Sequence, residues 1–134
     1  MATQATADSI VIPVRGGQIA ADLRRPARTL GLVVFAHGSG SSRFSSRNRT
    51  VAGFLEQRGF ATLLLDLLTQ AEEAVDVRTT EYRFDIDLLA ERVVVATDWM
   101  RHRDDFAASP IGYFGASTGA AAALIAGAES KAAA

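Results

Sequence analysis

The sequence holds 134 residues, 49% of them hydrophobic and 22% charged, with a formal net charge of −1 and no cysteine. That length suits one domain with one core. The near-neutral balance gives nucleic acid no electrostatic footprint, and the lack of thiols excludes both a disulfide framework and a thiolate metal site. No apolar run approaches a membrane span, and residues 1–8 lack the basic and apolar parts of a secretion signal, so a cytoplasmic protein without a membrane partner is expected. Residues 1–8 read as a disordered tail ahead of a single domain over 9–134.

In chain order, residues 9–14 form a β-branched run closed by Arg15-Gly16-Gly17, and residues 18–23 alternate polar and apolar. Together they predict an antiparallel hairpin at a sheet edge, where Pro13 is tolerated. Residues 30–36 are apolar without alternation, as a strand covered on both faces requires. They end in the small-residue loop His37-Gly38-Ser39-Gly40-Ser41-Ser42. Ser45 or Ser46 can cap a following helix with Val51, Phe54 and Leu55 on its apolar side, and Gly59 supplies the left-handed residue after it.

A second buried strand over 60–68 carries one charge, Asp66, near its end. Residues 69–80 are polar and acidic without periodicity and read as a long loop. Over 81–103, Ile86, Leu89, Val93, Ala96 and Met100 make one helical stripe, with carboxylates near its start and arginines at its end. Residues 104–109 connect to a last strand.

That strand runs into Gly115-Ala116-Ser117-Thr118-Gly119 and then into the Ala-rich run 120–128. Strand, Gly-x-Ser-x-Gly, helix is the pattern of a nucleophile elbow, a strained turn that lifts a serine above a parallel sheet. Residues 129–134 read as a frayed end. The order of elements predicts a three-layer α/β sandwich, its sheet mostly parallel with the antiparallel hairpin at one edge. Right-handed crossovers then decide where the loops fall.

The segments 33–43, 63–68 and 112–119 together resemble the front of the dienelactone-hydrolase-like branch of the α/β-hydrolases, a likeness covering most of residues 9–128. The resemblance implies Ser117 as nucleophile and an oxyanion hole from the backbone N–H groups of Thr118 and of a residue in the 37–39 loop, most plausibly Ser39. Such donors commonly lower the barrier by about 3 kcal/mol each. It further implies carboxylesterase chemistry on short acyl esters through an acyl-enzyme, with no cofactor and no metal, and a strand order that sets the His37 strand between those of Asp66 and Ser117, all three ending on one rim.

One departure is plain. In this superfamily the acid and the histidine follow the nucleophile, whereas the 17 residues after Ser117 contain no histidine and one carboxylate, Glu129. The fold is therefore expected to be a truncated one, with the elbow strand left as an open apolar edge, and a homodimer through that edge or the adjacent helix is expected.

Of the two histidines, His102 falls at the far end of a helix, which leaves His37. It has two readings: a base in a substitute triad Asp66, His37, Ser117, or a ring bonded to the loop backbone. Asp66 likewise reads as triad acid or as a cap for loop N–H groups. Gly38 and Arg43 border the same place, Arg43 with Arg47 and Arg49 as receivers of a substrate anion or as solvated charges. The other function class is a catalytically inactive, hydrolase-like module for binding or assembly. The loop 37–42 lacks either arrangement of a nucleotide-phosphate loop.

Overall fold

The computed structural model describes residues 6–103 and 106–130. Strands β1 (Thr6–Val14) and β2 (Gly17–Arg25) form the antiparallel hairpin, in register from Thr6 opposite Arg25 to Val14 opposite Gly17. Gly16 turns the chain with φ of 90°, a conformation open to glycine. The strand begins at Thr6, inside the stretch expected as a tail. Residues 6–8 are exposed, so no apolar alternation marks them, and the backbone ladder alone extends the strand. The frayed ends expected over 1–5 and 131–134 lie outside the described residues.

Strand β3 (Gly31–Ala36), helix α1 (Ser46–Gln57) and strand β4 (Phe60–Leu65) follow, then helices α2 (Gln70–Thr79) and α3 (Ile86–Arg101), strand β5 (Ile111–Gly115) and helix α4 (Thr118–Ser130). The sheet order is β1-β2-β4-β3-β5, with β4, β3 and β5 parallel and β2 antiparallel to β4. β3 thus lies between the strands that end at Asp66 and at Ser117, as expected. On one face, Phe35 and Leu64 pack with Ala52 of α1. On the other, Leu89, Val93, Ala96 and Met100 of α3 and Ala122 and Ala126 of α4 close over Ile12, Leu23, Val34, Leu63 and Leu65. These are the three layers of the expected sandwich. No helix among the described residues is long and apolar enough to cross a membrane.

Two expectations are corrected. Phe54 lies on the outer side of α1, its ring 3.6 Å below the Arg58 guanidinium, while Val51 and Leu55 pack inward. Residues 70–79, expected as loop, are helix α2. Its signal is a capping box: the Thr69 hydroxyl accepts from Glu72 N, and the Glu72 carboxylate accepts from Thr69 N. An apolar stripe is missing because polar contacts hold this helix. Asp76 is buried and accepts from Tyr82 N at 2.7 Å, Arg83 N at 2.9 Å and Arg83 Nε at 2.9 Å, which fixes the turn before α3. α3 itself starts at Ile86, capped by Asp85.

Arg92 of α3 joins these layers. Its side chain is 2% exposed and meets both Glu72 oxygens at 2.7 Å while donating to Leu67 O at 3.2 Å. Burial alone would raise the Glu72 carboxyl, but the Arg92 and Thr69 hydrogen bonds outweigh it and hold the group below its ordinary value. Removing one partner from such a pair leaves a buried charge unmatched. Arg92→Ala is therefore expected to cost about 3 kcal/mol or more in urea unfolding, well beyond the effect of Arg15→Ala at the exposed Arg15–Glu91 pair.

Candidate active site

Three strand ends converge: β3 runs into the loop at 37–45, β4 into Asp66, and β5 into Ser117. Ser117 has φ of 57°, a left-handed conformation that costs a non-glycine residue about 1–3 kcal/mol, and its side chain is exposed. The two flanking glycines permit the turn. A Cβ on Gly119 would stand 2.2 Å from Ala36 O and 2.4 Å from His37 O, and one on Gly115 2.5 Å from Gly119 O. The start of α4 is thereby pressed onto the end of β3. Gly119 N donates to Ala116 O at 2.9 Å and Ala120 N to Ser117 O at 3.0 Å. The Thr118 N–H, first in the helix, has no intrahelical acceptor.

The loop after β3 approaches from the other side. A Cβ on Gly38 would lie 3.3 Å from Ser117 Cβ and 3.3 Å from Ala116 O, so this glycine lets the loop close on the turn. Ser39 follows, exposed, and shares with Ser117 a cleft of about 380 Å³. The cleft wall is polar, made by Ser39, Ser41, Ser46, Arg47 and Asn48.

His37 does not face the serine as a base. Its Nε2 accepts from Leu67 N at 3.0 Å and its Nδ1 donates to Gly38 O at 2.9 Å. Both ring nitrogens are therefore held by backbone, and no lone pair is left for the Ser117 proton. Burial pushes the imidazole below its ordinary 6.5, outweighing the Gly38 bond and the charges of Asp66 and Glu73, which act the other way. A neutral ring is what an Nε2 acceptor needs.

Asp66 is also committed elsewhere. It accepts from Arg43 N at 2.8 Å and pairs with the Arg43 guanidinium, so the line Asp66, His37, Ser117 is not a triad here. Arg43 in turn spans Asp66 and Asp22, which removes it as a free receiver of a substrate anion. Arg49 pairs with Asp22 at 2.8 Å. Arg47 has no ion pair among the described residues. His102 caps α3, exposed, with Nδ1 2.7 Å from Asp98 O, and α3 leads to the start of β5, the end opposite Ser117.

Asn48 was not singled out by the sequence. It is 4% exposed, and its backbone N–H is taken by the Ser45 hydroxyl of the helix cap. One signal was available: it stands four residues before buried Ala52, a polar side chain on the inward face of α1.

Two measurements follow from this geometry. Gly119→Ala is expected to lose about 3 kcal/mol or more of stability, since backbone atoms must give way. For His37, the unfolded chain takes up a proton before the folded one does. Stability is full above about pH 6.5 and declines as pH falls below it, so the urea midpoint drops between pH 7.5 and 5. His37→Gln, less stable at neutral pH by about 1–3 kcal/mol, removes that part of the slope.

No family model matches the chain. Two Mycobacterium tuberculosis proteins, from strains CDC 1551 / Oshkosh and H37Rv, both described as "Putative phosphoribosyl transferase", are 54% identical to it over 113 residues. The match covers 84% of the chain, which spans about 25% of their length. Among solved structures, dienelactone hydrolase from Anabaena variabilis superposes with a TM-score of 0.90 at 53% identity, covering 94% of this chain and 58% of that one. Est1E from Butyrivibrio proteoclasticus shares the fold at 20% identity, with a TM-score of 0.72 over 90% of this chain and 45% of its own. With the strand order, the elbow and these likenesses together, the chain belongs to the dienelactone-hydrolase-like branch of the α/β-hydrolase superfamily and spans the part of that fold running through the nucleophile turn.

Proposed function

We propose that this chain carries the nucleophile and the oxyanion hole of a cytoplasmic serine hydrolase that cleaves short-chain carboxylic esters. The observation that carries the reading is the left-handed Ser117, held exposed at the start of α4 in a cleft it shares with Ser39. In the reaction, Ser117 Oγ bonds to the ester carbonyl carbon, and the carbonyl oxygen takes the negative charge facing the N–H groups of Ser39 and Thr118. The tetrahedral species collapses to an acyl-serine as the alcohol leaves with a proton. Water then attacks the acyl-serine and releases the acid. The base that moves these protons is not His37, whose nitrogens are engaged, nor His102. It comes from outside the described residues; without it, water takes the Ser117 proton, and the reaction reaches the acyl-serine only with an activated ester whose leaving group departs without a proton.

Assembly belongs to the same proposal. β5 is an edge strand, and beside it Tyr113, Gly115, Ala120, Ala123, Leu124 and Gly127 line an apolar groove of about 520 Å³, with Leu124 77% exposed. Such a surface on a lone chain invites pairing with a second copy. The engaged histidines favour one alternative, an inactive module that only binds or assembles.

The chain is expected to release p-nitrophenol from p-nitrophenyl acetate in a burst, gain one acetyl group on the Ser117 peptide by mass spectrometry, and lose both in Ser117→Ala. Folded protein with neither acetylation nor labelling by a serine-directed phosphonate would favour the inactive module. Light scattering at micromolar concentration is expected to give twice the chain mass, falling to the monomer in Leu124→Glu.

A further inference from the structure

The loop that brings Ser39 to the nucleophile is held unevenly. Its flanks are fixed: His37 is bonded through both ring nitrogens, Gly38 closes on Ala116 and Ser117, and Ser41 N donates to Gly38 O at 3.1 Å. Its tip is not. Ser39 and Gly40 are exposed, and neither makes a hydrogen bond among the described residues. Gly40 also lies in the left-handed region, with φ of 73°. The proposed oxyanion donor Ser39 N–H thus stands on the least anchored part of the loop, although such a donor is effective only when its direction is fixed beforehand.

One side chain from another part of the fold reaches that tip. A Cβ on Gly40 would lie 3.4 Å from Arg83 Nη1, so the guanidinium stands against the Gly40 backbone. Arg83 belongs to the turn between α2 and α3 and is locked there by Asp76. The Asp76 carboxylate accepts from Arg83 N and Nε at 2.9 Å each, and Asp76 O accepts from Arg83 Nη2 at 3.2 Å. Nε and Nη2 are thereby taken, and Nη1 is the nitrogen left toward the loop. Burial alone would raise the Asp76 carboxyl, but the hydrogen bonds from Tyr82 and Arg83 hold it below its ordinary value, so the anchor stays charged. Asp76 is the buried residue of α2, and this helix without an apolar stripe ends in the device.

Ser39 and Gly40 face Arg83 and Thr118 across a cavity of about 10 Å³, room for at most one water. That size excludes a substrate or cofactor between them. Nor does the charge of Arg83 act far, because a carboxylate 2.9 Å from the guanidinium cancels most of its field. What remains is mechanical support. We infer that Arg83, locked by Asp76, is a positioning residue that holds the Ser39-Gly40 tip and with it the oxyanion-hole geometry at Ser117. The catalytic consequence rests on the proposed hydrolase reading, but the ordering of the tip does not.

The test compares Arg83→Lys and Arg83→Met with the unsubstituted chain by relaxation NMR of the Ser39, Gly40 and Ser41 amides, urea unfolding, and the rate of Ser117 acetylation from p-nitrophenyl acetate. Lysine keeps a cation for Asp76 but has no planar fork to reach Gly40 as well. Its urea midpoint is expected near that of the unsubstituted chain, with the tip mobile on the nanosecond scale. Acetylation is expected to slow about threefold in Arg83→Lys and about tenfold in Arg83→Met, with the half-saturating ester concentration unchanged. A purely structural role would lower the urea midpoint and leave the order of the tip and the rate in folded protein unmoved. Should Arg83→Met fail to fold, Arg83→Lys decides. An ordered tip in folded Arg83→Lys overturns the proposal, and so does a mobile tip with an unchanged acetylation rate. Mobile tips in the variants, with neither acetylation nor phosphonate labelling in any of the three chains, remove the hydrolase and keep the hold of Arg83 on the loop.

Discussion

The contact on which this structure turns is the one between Gly119 and the carbonyls that end β3. A strand, a reversal and a helix must pass within a few ångströms of a neighbouring strand, and only a residue without a side chain can stand 2.2 Å, in Cβ terms, from Ala36 O. Gly115 makes the matching concession on the inner side of the turn. Between them Ser117 is driven into the left-handed region, which the surrounding packing must over-determine if it is to persist. The same squeeze brings Gly38 against Ser117 and so defines the floor of the cleft. Strain, loop position and cleft shape are one constraint seen from three sides.

A second constraint acts through polar groups. The interior of the sheet is apolar and two-faced, but the rim where the strands end is organised by buried and partly buried hydrogen bonds: His37 between Gly38 O and Leu67 N, Asp66 with Arg43, Asp76 with the turn before α3, and Arg92 with Glu72. Each fixes a loop that the apolar core cannot reach. His37, close to the Ser117 turn, is thus an architectural part, and burial holds its imidazole below the ordinary value.

What could be read from residues alone follows the same division. The strands 31–36 and 60–65 were legible because continuous burial writes an unbroken apolar run, and the elbow was legible because glycine spacing is dictated locally. The sheet order came with the resemblance to the α/β-hydrolases, and right-handed crossovers decided only where the loops fall. Helix α2 escaped because nothing apolar marks it; Thr69 and Glu72 announced its start, three residues apart, but a capping box is a short signal among many polar residues. The partners of His37 and Arg43 were out of reach for another reason. Leu67 N lies thirty residues from His37 in sequence, and Asp22 and Asp66 lie about twenty residues from Arg43 on either side. Such pairings are properties of the assembled rim, which no local pattern encodes. Asn48 belongs to the same class, a polar residue whose meaning depends on which way its helix turns.

The placement of β5 also bears on the order of events as the chain folds. β3 meets β4 across a single helix, but it meets β5 only across the much longer stretch of residues 37–110, a long loop to close before any bond between them is gained. The turn at Ser117 is consequently a late arrival. A nascent molecule would pass through a stage with its sheet half built and Ser117 in relaxed backbone, until β5 docks on β3.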